Sequence, residues 1–358
     1  MATPQALHAA LEALVDPLLG KGLVAAGAVK SADVAGGRAR IVLDLGFPAA
    51  GHRDALAAGV RVAVRQALGL EAEVDIGWTI QSHAVQKNLK PMPGIRNIIA
   101  VASGKGGVGK STVAVNLALA LQAEGAKAGI LDADIYGPSQ PLMLGSKDRP
   151  TSPDGKRMNP IVAHGLQAMS IGFLIDDAQP MIWRGPMVTQ ALNQLLTETH
   201  WQDLDYLVVD LPPGTGDIQL TLSQRIPVSG AVIVTTPQDI ALLDARKGLQ
   251  MFRKVEVTVL GVVENMSTHV CGRCGHEEAI FGAGGGARLA ERYDVELLGQ
   301  LPLDIRIREQ TDGGNPTVAA DPDSELSRRY RDIARKAAAR LAYGAPAGTF
   351  PTIEVTED

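Results

Sequence analysis

Ile98-Ile99-Ala100-Val101-Ala102-Ser103-Gly104-Lys105-Gly106-Gly107-Val108-Gly109-Lys110-Ser111-Thr112 decides the fold. Residues 98 to 102 read as a buried apolar strand that runs directly into Gly104-x-x-x-x-Gly109-Lys110-Ser111. Val113 to Leu121 then continues with helical spacing. Strand, glycine-rich loop and helix in that order form a phosphate-binding loop. Its glycines let backbone N–H groups turn toward phosphate oxygens, and the helix N-terminus adds partial positive charge. In such a loop Lys110 reaches the terminal phosphates and Ser111 ligates magnesium, so the segment from Gly104 through Lys105, Gly106, Gly107, Val108, Gly109, Lys110 and Ser111 to Thr112 is the expected ATP-binding element.

Around this segment, short apolar runs at residues 128–131, 206–209, 231–234 and 257–263 alternate with helical stretches. That alternation predicts an α/β domain, a mostly parallel sheet flanked by helices, with its ligand beyond the carboxyl ends of the strands. Two acidic sites fall at such ends. Leu131-Asp132-Ala133-Asp134 closes one strand and Val208-Val209-Asp210-Leu211-Pro212-Pro213-Gly214 closes another. An acid at the tip of an apolar strand beside a phosphate loop is placed to hold magnesium, and Asp210 is assigned that part with Ser111. Gly214 offers a backbone N–H to the terminal phosphate.

Lys105 is not required by the general loop pattern. GKGGVGKST followed by DADIYGPS and DLPPGTGD resembles the deviant Walker A ATPases, which include septum-positioning, partitioning and nitrogenase-iron-protein relatives. The resemblance implies that Lys105 crosses a dimer interface to the partner's nucleotide and that Asp134 positions or activates the attacking water. Lys105, Lys110 and Asp134 are then the catalytic residues, and hydrolysis requires a homodimer. Asn265, in Glu264-Asn265-Met266 at a strand end, stands where members of that superfamily carry a base-contacting asparagine, with Pro302-Leu303-Asp304 expected to close over the adenine.

At the other end of the chain, residues 4 to 18 place Leu7, Leu11, Leu14 and Leu18 at helical spacing. Strand-like runs at 23–29 and 40–45, a helix over 53–68 and a strand over 71–78 follow. Together they predict a small α-β-β-α-β (α+β) domain over residues 1–85. Two prolines and a glycine in residues 86–96 mark a linker, residues 97–343 form the phosphate-loop domain, and the Pro- and Gly-containing residues 344–358 read as a disordered tail. With 358 residues and 46% hydrophobic content the chain can bury two cores. A net charge of -5 gives no general pull toward nucleic acid or anionic membrane, so neither is an expected partner. The N-terminal helix lacks a basic n-region, no stretch approaches a membrane span, and two cysteines are too few for a disulfide framework, so a reducing, cytoplasmic location is expected.

The only cysteines, Cys271 and Cys274, lie in Val270-Cys271-Gly272-Arg273-Cys274-Gly275-His276. Two soft ligands three residues apart in a glycine-rich loop suit iron or zinc. His269 and His276 flank the pair closely enough for a Cys2His2 zinc site, although with spacings unlike ordinary zinc fingers. An all-cysteine cluster needs four thiolates, which only two chains can supply.

These features together resemble the Mrp/ApbC family of iron-sulfur cluster carrier ATPases. The match takes in the deviant loop, Asp132 to Ser139, Trp183-Arg184-Gly185-Pro186-Met187, Asp210 to Asp217, Glu264 to Ser267 and the cysteine pair. It implies ATP, Mg2+ and an iron-sulfur cluster, of 4Fe-4S type, shared between two subunits by Cys271 and Cys274 and passed to apo iron-sulfur proteins or assembly factors. The N-terminal unit resembles the accessory domain of many bacterial members, and without a cysteine it is expected to dock a partner. Two rival readings fit parts of the sequence. A MinD/ParA-like positioning ATPase would use the basic helix at 326–336 as an anchor, but alanines weaken its apolar face. A dimeric ATP-dependent reductase would draw on cysteines far apart in sequence.

Overall fold

The computed structural model describes residues 3–175 and 185–344. Trp183 and Arg184 of the quoted motif, and the tail from 345 onward, lie outside the described residues.

The N-terminal unit runs α1 (Pro4–Ala13), β1 (Val29–Ala35), β2 (Arg38–Leu45), α2 (Arg53–Leu68) and β3 (Glu71–Trp78). β1 and β2 form an antiparallel hairpin, β3 pairs with β2 in parallel, and α2 makes the crossover. The first strand begins at Val29, where the run 23–29 had been expected to be extended. That run folds into turns instead, with Ala26 N–H donating to Gly22 O, Gly27 N–H to Val24 O and Ala28 N–H to Leu23 O. Leu23 and Ala28 are buried by this turn, and its run of small and apolar residues has no period of its own that separates turn from strand.

The second unit is built on β4 (Ile95–Ser103), α3 (Lys110–Ala123), β5 (Ala128–Asp132), α4 (Gln140–Met143), β6 (Ile161–Ala163), β7 (Leu166–Ser170), α5 (Gly185–Thr197) and β8 (Leu204–Asp210). It continues through α6 (Asp217–Arg225), β9 (Gly230–Thr235), α7 (Asp239–Lys254), β10 (Val259–Glu264), the small hairpin β11 (His269–Val270) and β12 (Glu277–Glu278), α8 (Gly285–Arg292) and β13 (Leu297–Gln300). Helices α9 (Ile305–Asp312), α10 (Thr317–Ala320) and α11 (Glu325–Tyr343) close the chain.

The main sheet has the order β13-β10-β9-β4-β8-β5-β7-β6. Every neighbouring pair is parallel except the edge pair β6–β7. This is the mostly parallel α/β sheet that the alternating pattern predicts. After β4 the chain builds toward β6, then crosses to β9 on the other side of β4. The phosphate loop therefore opens at the switch point of the sheet, where a crevice forms. The strands not foreseen, β6, β7 and β13, are short, two of them at the sheet edges, with too few residues to show a period.

Helix α11 is basic on its outer face, yet Leu326, Tyr330, Ile333, Ala334, Ala337 and Ala338 are buried. Its small residues permit close packing on α3, so the apolar face is used inside the protein. Among the described residues no helix is long and apolar enough to cross a membrane.

The two units meet at the C-terminal end of α3. Glu124, fully buried, accepts from the Gly51 N–H at 2.7 Å and from Arg331 Nε and Arg335 Nη1 of α11, each at 2.7 Å. Beside it the Tyr343 hydroxyl accepts from Gly46 N–H at 2.8 Å, and Trp78 packs where a Cβ on Gly125 would fall, 2.4 Å from its ring.

Candidate functional site

The loop between β4 and α3 is held by close backbone approaches that only glycine permits. A Cβ on Gly104 would lie 2.2 Å from the Asp244 carbonyl carbon of α7. Gly109, in the left-handed region at φ +79, caps α3, and a Cβ there would meet Asn265 Nδ2 at 2.3 Å. Val108 is the buried anchor of the loop, while Gly106 and Gly107 are exposed at its tip. Ser111 and Thr112 follow Lys110 in the first turn of α3, where backbone N–H groups have no intrahelical partner and are available to an anion.

Beneath the loop the acids predicted from the strand ends come together. Asp132 and Asp210 are register partners on β5 and β8, and both are buried. Lys110, 5% exposed, ion-pairs with Asp210 Oδ1, and its Nζ stands 3.3 Å from Ser111 Oγ. The other Asp210 oxygen accepts from Gln140 Nε2 at 2.9 Å. Asp132 accepts from the backbone of Asp134, Ser139 and Gln140 and from the Ser170 hydroxyl, at 3.0 to 3.1 Å. Burial, reinforced by the charge of Asp210, nevertheless pushes its carboxyl up to about 7. Burial also raises Asp134; the Lys110 charge opposes the shift and the Asp210 charge adds to it.

Lys105 is half-buried and takes part in no ion pair among the described residues; its carbonyl accepts from Ser103 Oγ at 2.9 Å. Gly214, at φ +106, donates its N–H to the Ser103 carbonyl at 2.9 Å. In this conformation that N–H is not free for phosphate. Asn265 reaches the loop from β10 and donates through Nδ2 to Val108 O at 2.8 Å. Met266, next in sequence, adopts φ +56. Asp304, expected near the adenine, has its carboxylate occupied by the Arg306 backbone and guanidinium at the start of α9.

The β11–β12 hairpin carries the thiols. Cys271 N–H donates to His276 O and Gly275 N–H to Cys271 O, each at 2.9 Å, which closes a tight turn around Cys274. Both cysteines are free thiols, Cys271 half-buried and Cys274 exposed. The backbone N–H groups of Arg273 and Cys274, with the Cys274 thiol and the nearby His269, hold the Cys271 thiol below its ordinary pKa. His269 Nδ1 lies 3.1 Å from Leu303 O. Among the described residues no three His, Cys, Asp or Glu side chains gather closely enough to hold a metal ion.

Gln140 was missed. It follows the DADIYGPS motif by one residue, and a glutamine at the start of a short helix carries no local signal of its contacts.

Residues 94–338 match the family described as ParA, NUBPL iron-transfer P-loop NTPase, and residues 4–76 match the family described as iron-sulfur cluster assembly protein. A protein of Salmonella typhimurium named iron-sulfur cluster carrier protein is 63% identical over 271 residues, covering 74% of this chain and 73% of its own. One of the same name from Haemophilus influenzae is 55% identical over 327 residues, covering 91% and 88%. A nucleotide-binding protein of Archaeoglobus fulgidus, solved in complex with ADP, superposes with a TM-score of 0.56 at 36% identity, covering 65% of this chain and 91% of its own. With the phosphate loop and the paired acids at the strand ends of one sheet, the thiol hairpin following β10, and relatives of this similarity across most of the chain, the protein belongs to the NUBPL iron-transfer P-loop NTPase family.

Proposed function

We propose that the chain binds and hydrolyses Mg-ATP as a homodimer, and that the dimer carries a 4Fe-4S cluster between the Cys271 and Cys274 pairs of its two copies for delivery to apoproteins. The observation that carries this reading is the thiol hairpin itself. Two unpaired cysteines stand on an accessible turn, and the one with the lowered pKa is the better ligand, because thiolate binds iron. The names of the relatives, iron-sulfur cluster carrier proteins, support the same reading. Free thiols suit a reducing compartment, the cytoplasm.

For nucleotide, Lys110 trades its ion pair with Asp210 for the β- and γ-phosphates, and the first turn of α3 cradles their oxygens. The hard oxygens of Ser111 and Asp210, joined through Lys110 and Gln140, fit magnesium, which when bound neutralises phosphate charge. Asp134 orients the attacking water and accepts its proton. Its raised pKa makes it a stronger base than an exposed aspartate. Lys105, with no partner among the described residues, supplies charge to the other subunit's phosphates. Asn265 reads the adenine, and Gly214 reports the terminal phosphate by exchanging its bond to Ser103 for one to phosphate. The N-terminal unit docks assembly factors.

Anaerobic reconstitution of the full chain tests this. The expected product is one 4Fe-4S cluster per dimer, with iron and sulfide equal, transferred to an apo-acceptor. Cys271→Ser or Cys274→Ser should abolish it while nucleotide binding persists. Zinc at one per chain without sulfide, or a cluster retained after both substitutions, would overturn the carrier reading.

A further inference from the structure

Gln140 touches both buried carboxylates and the turn that carries Ser111. Its backbone N–H donates to Asp132 Oδ2 at 3.0 Å, and its side-chain Nε2 donates to Asp210 Oδ2 at 2.9 Å and to the Ser111 carbonyl at 3.2 Å. Both side-chain partners are acceptors, so the NH2 end of the amide must face them. The side chain is 0% exposed, and its Oε1 is buried without a hydrogen-bond partner. Buried acceptors are seldom left so.

This arrangement divides the work of holding Asp210. Lys110 engages Oδ1 and Gln140 engages Oδ2. When Lys110 turns to phosphate, Gln140 still sets the plane of the carboxylate and ties it to the Ser111 turn. The orphan Oε1, one amide carbon away from the contacts to Asp210 and Ser111, needs a donor. A water on a divalent cation is such a donor, because its lone pair is committed to the metal and its hydrogens point outward.

We propose that Gln140 is a positioning residue for the magnesium site: its NH2 group holds Asp210 against the Ser111 turn, and its Oε1 accepts a hydrogen bond from water on the cation. This rests on the assignment of Ser111 and Asp210 to magnesium made above. Outer partners of metal ligands commonly change metal affinity by about 10–100-fold when removed.

The test measures ATP affinity of the full chain by calorimetry across a magnesium titration and in EDTA, with thermal midpoints recorded alongside. Gln140→Met keeps length and volume without polar atoms; Gln140→Asn keeps the amide but is too short to span both acceptors. Either variant should raise the magnesium concentration needed for half-maximal tightening by about tenfold or more, with affinity in EDTA unchanged. Asp210→Asn is the control. If it raises the requirement and the Gln140 variants do not, the inference is wrong and the magnesium assignment stands. If Asp210→Asn also leaves the requirement unchanged, the assignment itself fails. Affinity lost equally with and without magnesium in both Gln140 variants would make Gln140 a structural residue only and overturn the proposal.

Discussion

Asn265 donates its side-chain amide to the Val108 carbonyl at 2.8 Å, joining the end of β10 to the buried anchor of the phosphate loop. Six residues beyond Asn265 the same connection reaches Cys271, so nucleotide and thiol sites hang from opposite ends of one short segment. Their separate chemistries can be tested independently.

Lys110→Ala should weaken ATP binding by about 10–100-fold, the loss expected for a charge-assisted contact to phosphate. Lys105→Ala should leave affinity near the parental value and lower turnover. Calorimetry and phosphate release separate the two; equal effects of both substitutions on affinity would remove the proposed contribution of Lys105 across the dimer.

Asp134→Asn should keep ATP bound and slow hydrolysis by about a hundredfold or more. The sign of the pH effect follows from the raised pKa. The carboxylate must be ionised to act as base, so kcat falls as pH is lowered through a value above the ordinary aspartate pKa of about 3.9. That acid limb should vanish in the Asn variant. Hydrolysis at the parental rate would strike Asp134 from the mechanism.

Cys271 should react with iodoacetamide with a half-maximal rate at a pH below that of a cysteine in an unstructured peptide, because its thiolate is stabilised by two backbone N–H groups. Mass spectrometry of peptides alkylated across pH reads this directly. An alkylation midpoint at or above that of the peptide cysteine would show that the turn does not activate Cys271.

Glu124→Gln should destabilise the chain by about 3 kcal/mol, since it leaves two arginines, 22% and 14% exposed, without their shared buried counter-charge. Proteolysis between residues 79 and 94 should release the N-terminal unit faster. An unchanged denaturation midpoint together with unchanged cleavage would mean that this cluster does not hold the units together.

Local order set what could be read without coordinates. The loop needs its glycines, lysine and serine at close spacing, the cysteine pair needs two residues between ligands, and helices such as α2 show their period within a few turns. These patterns carried the α/β class, the phosphate loop and the family. They misplaced β1, where the small and apolar residues from Leu23 to Ala28 form a turn that its composition does not distinguish from a strand, and they passed over edge strands too short to show alternation.

Tertiary structure alone decided the contacts between residues distant in the chain. Gln140 meets Asp210 across 70 residues, Asn265 meets Val108 across 157, and Arg331 meets Glu124 across 207. Nothing near a glutamine, asparagine or glutamate in one sequence says which partner the packing of strands will bring to it. The same packing occupied the Gly214 N–H with Ser103 and turned the alanine face of α11 onto α3. The chemistry of each site is written in short-range spacing, whereas its orientation depends on which strands become neighbours in the sheet.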